Sequence, residues 1–210
     1  MTSEIDFYTN PMSRGQIARW ALEEVGAPYR QHILGYGDTM KGPDFLAINP
    51  MGKVPAIVDD GAVITECAAI CAYLALRFPE AGLLPEVRER AAYFRWLFFA
   101  AGPIEQAVTT KAMGWEVSAE RERMFGFGDV ERPLNVLDAH LATHDYVCGA
   151  RFTAADIYVG SQVIWGLQFG TIAHRGHLAA YAARLTPRAA YQRAKAIDDA
   201  LIAEAAAQQN

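Results

Sequence analysis

The sequence contains few cysteines, with only Cys67, Cys71 and Cys148 among 210 residues. They form no CxxC pair and do not suit a disulfide framework, so a reducing cytoplasm is the expected compartment. The chain also has no apolar run long enough to span a bilayer, and no signal peptide is predicted at its start. A formal net charge of −5 argues against a nucleic-acid-binding surface.

Several catalytic signatures are also missing. There is no GxSxG, Walker A or GxGxxG motif, so serine-hydrolase and nucleotide-binding interpretations have no support. There is no HExxH motif either. His140 and His144 are four residues apart on a predicted helix, a spacing compatible with zinc, but the remaining histidines show no convergence with them. We therefore predict no metal site.

The pattern of the chain changes near Pro85. Before it, short apolar runs alternate with helical segments in the order β-α-β-α-β-β-α, and the first strand, helix and strand favour a right-handed parallel crossover. After it, four or five helices are predicted, and one stripe is expected to contain Phe94, Leu97, Phe98 and Ala101, with the aromatic residues in the core. The sequence thus predicts an α/β domain over residues 1–80 and an all-helical domain over residues 88–210.

The stretch "YTNPMSRGQIARWALEEVG", residues 8–26, places small polar side chains at the mouth of the first predicted helix. Asn10 suits an Asx turn before Pro11, and Ser13 suits an N-cap. The first amides of a helix also attract anions, because these amides lack internal partners. Asn10 and Ser13 are therefore either local turn formers or donors to a bound anion.

The stretch "NPMGKVPAIVDDGAVITECAAICAYL", residues 49–74, is the most informative part of the chain. We predict a cis Val54–Pro55 bond, which turns the N–H and C=O of Val54 outward to pair with an extended peptide; a trans proline opening a strand is the alternative. Glu66 precedes a predicted helix, where its carboxylate can cap free amides or receive a ligand ammonium. The amide of Cys67 can bind a ligand carboxylate.

This stretch resembles the glutathione transferase pattern N-P-x-G-x-[VL]-P, a short hairpin, then E-S-x-A-I-x-x-Y-L. A second block, "GARFTAADIYV" at residues 149–159, resembles the family's G-x-x-[ST]-x-A-D box, in which Thr153 caps a helix and Asp156 reaches back to it. The two blocks lie in different halves of the chain. The sequence is therefore identified as a bacterial member of the cytosolic glutathione transferase superfamily, with its class open.

The resemblance implies a thioredoxin-like α/β N-terminal domain followed by an all-α C-terminal domain, in a cytoplasmic homodimer that binds neither nucleic acid nor membrane. It implies that glutathione is the co-substrate and that its thiolate attacks a small hydrophobic electrophile. Reduction of a peroxide or disulfide is the alternative chemistry. A non-catalytic binding module with the same fold is the alternative of a different class.

The resemblance also assigns residues. The glutathione thiol is activated at the start of the first helix, where Ser13 is the favoured donor and Asn10 the second candidate. The predicted glutathione-binding residues are Lys41, Lys53, Val54, Pro55, Glu66 and Cys67. Lys41 and Lys53 are assigned to the glycyl carboxylate, and Cys67 replaces the family's usual serine with a weak thiol donor. Met12 and Trp115 are assigned to the apolar pocket of the second substrate.

Overall fold

The computed structural model describes residues 4–208 and divides into two compact units. The first unit comprises the chain up to Leu84 and the chain from Pro187 onwards, and the second comprises Pro85–Thr186. The ranges 1–80 and 88–210 stay a prediction from the sequence, and their first three and last two residues lie outside the described part. The contacts add that the C-terminal helix packs with the first unit.

The first unit is built on a four-stranded sheet in the order β2-β1-β3-β4. Its elements are β1 (Ile5–Thr9), α1 (Gly15–Val25), β2 (Tyr29–Ile33), α2 (Pro43–Ile48), β3 (Ala56–Asp59), β4 (Ala62–Thr65) and α3 (Cys67–Arg77). Strand β1 pairs in parallel with β2 and antiparallel with β3, and β3 pairs antiparallel with β4. This confirms the predicted element order, the parallel crossover and the thioredoxin-like arrangement.

The approach of α1 to β1 positions the polar turn between them. Ile5, Phe7 and Thr9 alternate with less buried residues along β1 and are fully buried, so one face of this strand lies in the core. A Cβ atom on Gly15 would lie 1.9 Å from Thr9 Oγ1. Only glycine therefore lets the first turn of α1 lie this close to the end of β1.

The second unit is helical, and α7 is buried along most of its length. Its helices are α4 (Arg90–Phe99), a π-helical turn (Ala100–Ile104), α5 (Glu105–Ala112), α6 (Glu131–Leu141), α7 (Ala154–Gln168) and α8 (Gly176–Leu185), and the chain ends with α9 (Ala189–Ala207) in the first unit. Thr153 and Asp156 form the capping box predicted at the start of α7. None of the helices within residues 4–208 combines the length and apolar character needed to cross a bilayer.

The predicted stripe of Phe94, Leu97, Phe98 and Ala101 is wrong as a buried face at three of its four positions, and Ala101, in the π-helical turn after α4, is exposed. Leu97 is buried together with Tyr93 and Trp96, whereas Phe94 is 53% and Phe98 74% exposed. Both faces of this helix carry aromatic side chains, so a helical period fits either of them. The packing of α4 against α7 and the π-helical turn, and not the period, selects the buried face.

Candidate active site

The turn between β1 and α1 is organised by the side chain of Asn10. Its Oδ1 accepts a hydrogen bond from the N–H of Met12 at 2.9 Å, which is the Asx turn considered from the sequence. Its Nδ2 donates to the carbonyl oxygen of Leu34 at 2.7 Å. An amide nitrogen carries two hydrogens, and the second has no acceptor among residues 4–208. Asn10, which is 8% exposed, therefore shapes the turn and has one side-chain N–H left unbonded within the described residues.

The hydroxyl of Ser13 is also engaged within the turn. It donates to the carbonyl oxygen of Asn10 at 2.6 Å and accepts from the N–H of Gly15 at 2.9 Å. A hydroxyl rotates freely about its C–O bond, so this proton can be redirected to a stronger acceptor such as an anion. The main-chain N–H of Ser13 has no hydrogen-bond partner in the described part of the chain. The start of α1 thus offers a second donor that sequence analysis missed.

Glu66, directly before α3, has an unusual backbone conformation. Its φ of 66° and ψ of 119° lie in a region that residues other than glycine rarely adopt, and its side chain makes no capping hydrogen bond. The capping interpretation of Glu66 is therefore wrong. Backbone strain of this kind costs on the order of 1–3 kcal/mol and is concentrated at ligand-binding sites. The Glu66 carboxylate is exposed and can receive a ligand ammonium.

Cys67 brings the start of α3 to the first turn of α1. Its Sγ–H donates to the carbonyl oxygen of Arg14 at 3.6 Å, and the residue is 8% exposed. The thiol therefore faces α1, while the Cys67 amide lies at the first position of α3, where helix amides lack internal acceptors. The N-termini of two eleven-residue helices are consequently neighbours, and both favour negative charge.

The loop before β3 is held by local polar contacts. The side chain of Asn49 donates to the Lys53 carbonyl at 2.7 Å and accepts from the Met51 N–H at 3.1 Å. The Val54–Pro55 bond is cis, which confirms that prediction. The N–H and C=O of Val54 have no hydrogen-bond partner within residues 4–208, so they are available to an extended peptide.

The two predicted lysines differ in their surroundings. Lys41 Nζ donates to the carbonyl oxygen of Gly52 at 2.7 Å, so this ammonium stabilises the loop before Val54 as well as carrying charge beside it. Lys53 is exposed, and its ammonium makes no ion pair or hydrogen bond within the described residues. Of the two, Lys53 has its donors free for a carboxylate.

Tyr36 lies at the mouth of α1, and no pattern in the sequence indicates it. Its hydroxyl donates to the Met12 carbonyl at 2.9 Å. Tyr36 follows β2 in an irregular segment, where hydrophobic periodicity carries no information. Tyr8, by contrast, is held against the sheet, because its ring stacks on His32 at 4.5 Å and packs against Phe45. Partial burial raises the pKa of the Tyr8 hydroxyl.

The two residues assigned to the apolar pocket lie in different units. Met12 in the first unit is 64% exposed, and Trp115 in the second is 62% exposed. Exposure of two large apolar side chains is compatible with ligand contact, and their shared pocket stays a prediction.

The histidine pair on α6 forms a stack. The rings of His140 and His144 are 4.1 Å apart and nearly parallel, and His140 Nε2 lies 3.0 Å from the Val147 carbonyl oxygen. Rings stacked face to face do not aim their nitrogens at one point. No group of three or more metal-ligating side chains converges within residues 4–208.

Comparison with known families places this geometry in context. Residues 12–77 match the family described as glutathione S-transferase, N-terminal domain, and residues 84–197 match the corresponding C-terminal domain. The second match alone spans more than half of the chain. The chain therefore belongs to the glutathione S-transferase family, which confirms its assignment from sequence as a glutathione transferase.

Individual proteins similar to this chain include named glutathione S-transferases. The chain is 31% identical to glutathione S-transferase GstA of Escherichia coli O157:H7, over 78% of this chain and 79% of that protein. The theta class glutathione S-transferase of Xanthomonas axonopodis pv. citri, solved with glutathione bound, superposes with a TM-score of 0.72 at 29% identity, covering 92% of this chain and 97% of that one. Horse elongation factor 1-gamma is 34% identical over 67% of this chain and 32% of its own length.

Proposed function

We propose that this glutathione transferase joins the thiolate of glutathione to small hydrophobic electrophiles. One observation carries the proposal: the Cys67–Arg14 contact places the N-termini of α1 and α3 side by side. A peptide with a carboxylate and a thiol suits two adjacent anion-binding helix ends. The bound glutathione in the Xanthomonas axonopodis structure supports the same ligand for this chain.

Each part of glutathione has a suitable partner in the first unit. The amide of Cys67 and the carboxylate of Glu66 suit the carboxylate and ammonium of the γ-glutamyl group. The free N–H and C=O of Val54, before the cis bond to Pro55, suit the cysteinyl main chain. Lys53, with Lys41 beside it, suits the glycyl carboxylate.

The turn at residues 10–14 suits the sulfur. A free thiol titrates near pH 8.5, and lowering its pKa by about two units requires about 2.7 kcal/mol of preferential thiolate stabilisation. A helix N-terminus supplies about 0.3–1 kcal/mol, and one charge-assisted hydrogen bond supplies roughly 1.5–3 kcal/mol. One helix end and one donor are therefore enough. Ser13 is the favoured donor, through its redirected hydroxyl or its free main-chain N–H, and Asn10 is the second.

The thiolate then attacks the electrophilic carbon, whose leaving group departs with the bonding electrons. Exposed Met12, beside the turn at residues 10–14, supplies apolar surface for such a substrate. We assign the reaction to a cytoplasmic homodimer. Phe94 and Phe98, one turn apart on α4 and largely exposed, supply an apolar patch of the kind that a second copy covers.

The test is a titration of the purified protein with glutathione, followed by an ultraviolet titration of the bound thiol. Conjugation of a model aryl halide is expected, with the thiol pKa lowered relative to free glutathione. Ser13→Ala should raise the bound thiol pKa by about one unit, the loss of one charge-assisted hydrogen bond. Exposed Ser118→Ala is the matched control and should leave it unchanged. An effect of Asn10→Ala alone would transfer the donor role to Asn10.

A non-catalytic binding module is the second candidate, favoured by two observations. The Ser13 hydroxyl is already bonded within the turn, and elongation factor 1-gamma is among the similar proteins. Absence of glutathione binding at millimolar concentration would favour this role. Turnover of a peroxide or mixed disulfide without aryl halide conjugation would favour the reductase alternative.

A further inference from the structure

Helix α1 carries a charged side chain into the core of the first unit. Arg19 is fully buried, and its Nε donates to Asp198 Oδ1 of α9 at 2.9 Å, where Asp198 is 1% exposed. Its Nη1 donates to Gln31 Oε1 at 2.9 Å and to the hydroxyl of Tyr29 at 3.2 Å, both on β2. The guanidinium also lies 5.2 Å from the ring centre of Phe7 on β1. Arg19 thus ties α1 to two strands and to α9.

Small side chains limit the apolar contact between α9 and α1. The buried positions of α9 are Ala190, Ala194 and Asp198, each four residues after the last, so two of the three side chains are single methyl groups. Burying a methyl group contributes only about 0.8 kcal/mol. The ring of Tyr191 adds an edge contact with Trp20 at 5.0 Å. The fully buried positions of α9 therefore contribute little apolar packing, and the half-buried Ile197 and Leu201 of the same helix add to it.

Two further ion pairs connect the same helices. Arg188 forms a bidentate pair with Glu24 at 2.6 and 2.8 Å, and Arg193 pairs with Glu23 at 3.0 Å. Along α9 the charged partners follow the reverse of their order along α1, as antiparallel helices require. These directional polar contacts therefore act together with the apolar contacts in aligning the two helices.

A buried ion pair is a weak source of net stability, because removing both charges from water offsets most of their attraction. Arg19 Nη2 and Asp198 Oδ2 also have no hydrogen-bond partner within residues 4–208. The pair is therefore poorly explained as a stabilising contact. Because the Arg19–Asp198 hydrogen bond is directional, the pair is better explained as a contact that selects one alignment of α9 on α1.

We propose that the Arg19–Asp198 pair holds the first turn of α1 in place, which makes Asp198 a positioning residue for the candidate active site. Arg19 lies four residues after Gly15, about 6 Å along the helix axis. A helix transmits an axial displacement of Arg19 to its own first turn, where Ser13 and the Arg14 carbonyl lie. The consequence for thiol activation rests on the proposed function, whereas the displacement is measurable without glutathione.

Cys67 is a built-in probe of this displacement. Its Sγ packs against the Arg14 carbonyl, whereas Cys71, four residues further along the same face of α3, is more deeply buried at 1% exposed. Cys148 is half-buried in the second unit. For the labelling experiment it is replaced by serine in the parent protein and in every variant. The experiment measures maleimide labelling of Cys67 and Cys71 separately, by mass spectrometry of the folded full-length protein.

Asp198→Asn keeps the shape of the side chain and removes its charge. We expect the labelling rate of Cys67 to rise at least about tenfold, equivalent to a local opening free energy lower by about 1.4 kcal/mol, while Cys71 stays unlabelled. Asp199→Asn is the matched control: Asp199 is the next residue, is exposed and pairs with Lys195, so its rate should equal that of the parent. With glutathione bound, the thiol pKa should rise in Asp198→Asn and not in Asp199→Asn.

Two results would overturn the proposal: an unchanged Cys67 rate, or equal acceleration at Cys67 and Cys71, which indicates general unfolding. If Asp198→Asn does not fold, Asp198→Glu keeps the charge but displaces it, and the same rise at Cys67 is expected. Faster Cys67 labelling in a protein that binds no glutathione would leave positioning intact and refute the proposed function alone.

Discussion

Asp156 and Asp198 are both buried carboxylates, and burial raises the pKa of each to about 6. Their partners differ. Asp156, at the start of α7, accepts from the N–H groups of Val147 and Thr153 and from the hydroxyls of Thr153 and Tyr181. Asp198 accepts its hydrogen bond from one charged side chain, that of Arg19. One carboxylate is thus surrounded by neutral donors, and the other is half of a buried ion pair.

This difference separates two ways of using a buried charge. Three of the four donors to Asp156 lie within nine residues of it, so this carboxylate completes a local cap and helps its own segment to fold. The partner of Asp198 lies 179 residues away, so that pair joins elements which meet only in the folded chain. The first contact supports local structure, and the second selects a tertiary alignment.

The largest effect is expected from breaking the ion pair on one side. Arg19→Met should lower the free energy of unfolding by about 3–5 kcal/mol, because Asp198 is left as an uncompensated buried charge. The double change Arg19→Met with Asp198→Leu should recover most of this loss, since no buried charge remains. Urea denaturation measures both. A double variant as unstable as the single one would show that the ion pair itself supplies the stability.

A somewhat smaller loss is expected at the cap. Asp156→Ala should lower the free energy of unfolding by about 3 kcal/mol, because the buried N–H groups of Val147 and Thr153 lose their acceptor. Exposed Asp145→Ala, in the same unit, is the control and should stay within about 0.5 kcal/mol of the parent. No apolar replacement of a second residue should rescue Asp156→Ala, in contrast to the Arg19 variant.

The two carboxylates should share a pH signature. A carboxyl group with a raised pKa binds protons more tightly in the folded than in the unfolded state, so its contribution to stability increases as the pH falls through about 6 towards 4. Between pH 7 and pH 5 each group should add about 1 kcal/mol. Urea denaturation at both pH values should show that Asp156→Asn and Asp198→Asn each lose this increment. An unchanged pH dependence in either variant would contradict the raised pKa at that residue.

The smallest effect is expected from removing the Thr153 hydroxyl from the Thr153–Asp156 capping box. Thr153→Ala should lower the free energy of unfolding by about 1 kcal/mol, the usual contribution of an N-cap side chain. Thr143→Ala, at an exposed position after α6, should change it by less than about 0.5 kcal/mol. A loss at Thr153 as large as that of Asp156→Ala would mean that the hydroxyl, and not the carboxylate, carries the cap.

Local contacts account for what could be predicted from the sequence. The order of elements in the first unit, the Thr153–Asp156 box and the cis bond before Pro55 all follow from signals within a few residues, and each is confirmed. The orientation of α4 could not be predicted, because aromatic residues on both faces fit the same helical period. The absent cap at Glu66 depends on a backbone conformation that its residue type does not favour.

For the candidate site, the sequence indicated which segments contribute. The structure showed which of their polar groups are already hydrogen-bonded within the protein. The Ser13 hydroxyl is bonded within the turn, one side-chain N–H of Asn10 is bonded to the Leu34 carbonyl, and the main-chain N–H of Ser13 has no partner within residues 4–208. Whether a donor is already hydrogen-bonded depends on which carbonyl oxygen lies within about 3 Å of it. Residue type and spacing alone leave that distance undetermined.

The sequence by itself determined the family, the capping box and the polar turn at the mouth of α1, because motif, cap and turn chemistry act between neighbours along the chain. Only the tertiary structure decided that α9 packs with the first unit through Arg19 and Asp198, and that Cys67 meets Arg14. These contacts join residues that are distant in sequence. Their partners are selected by shape and charge after the separate elements have formed, so no local pattern encodes them.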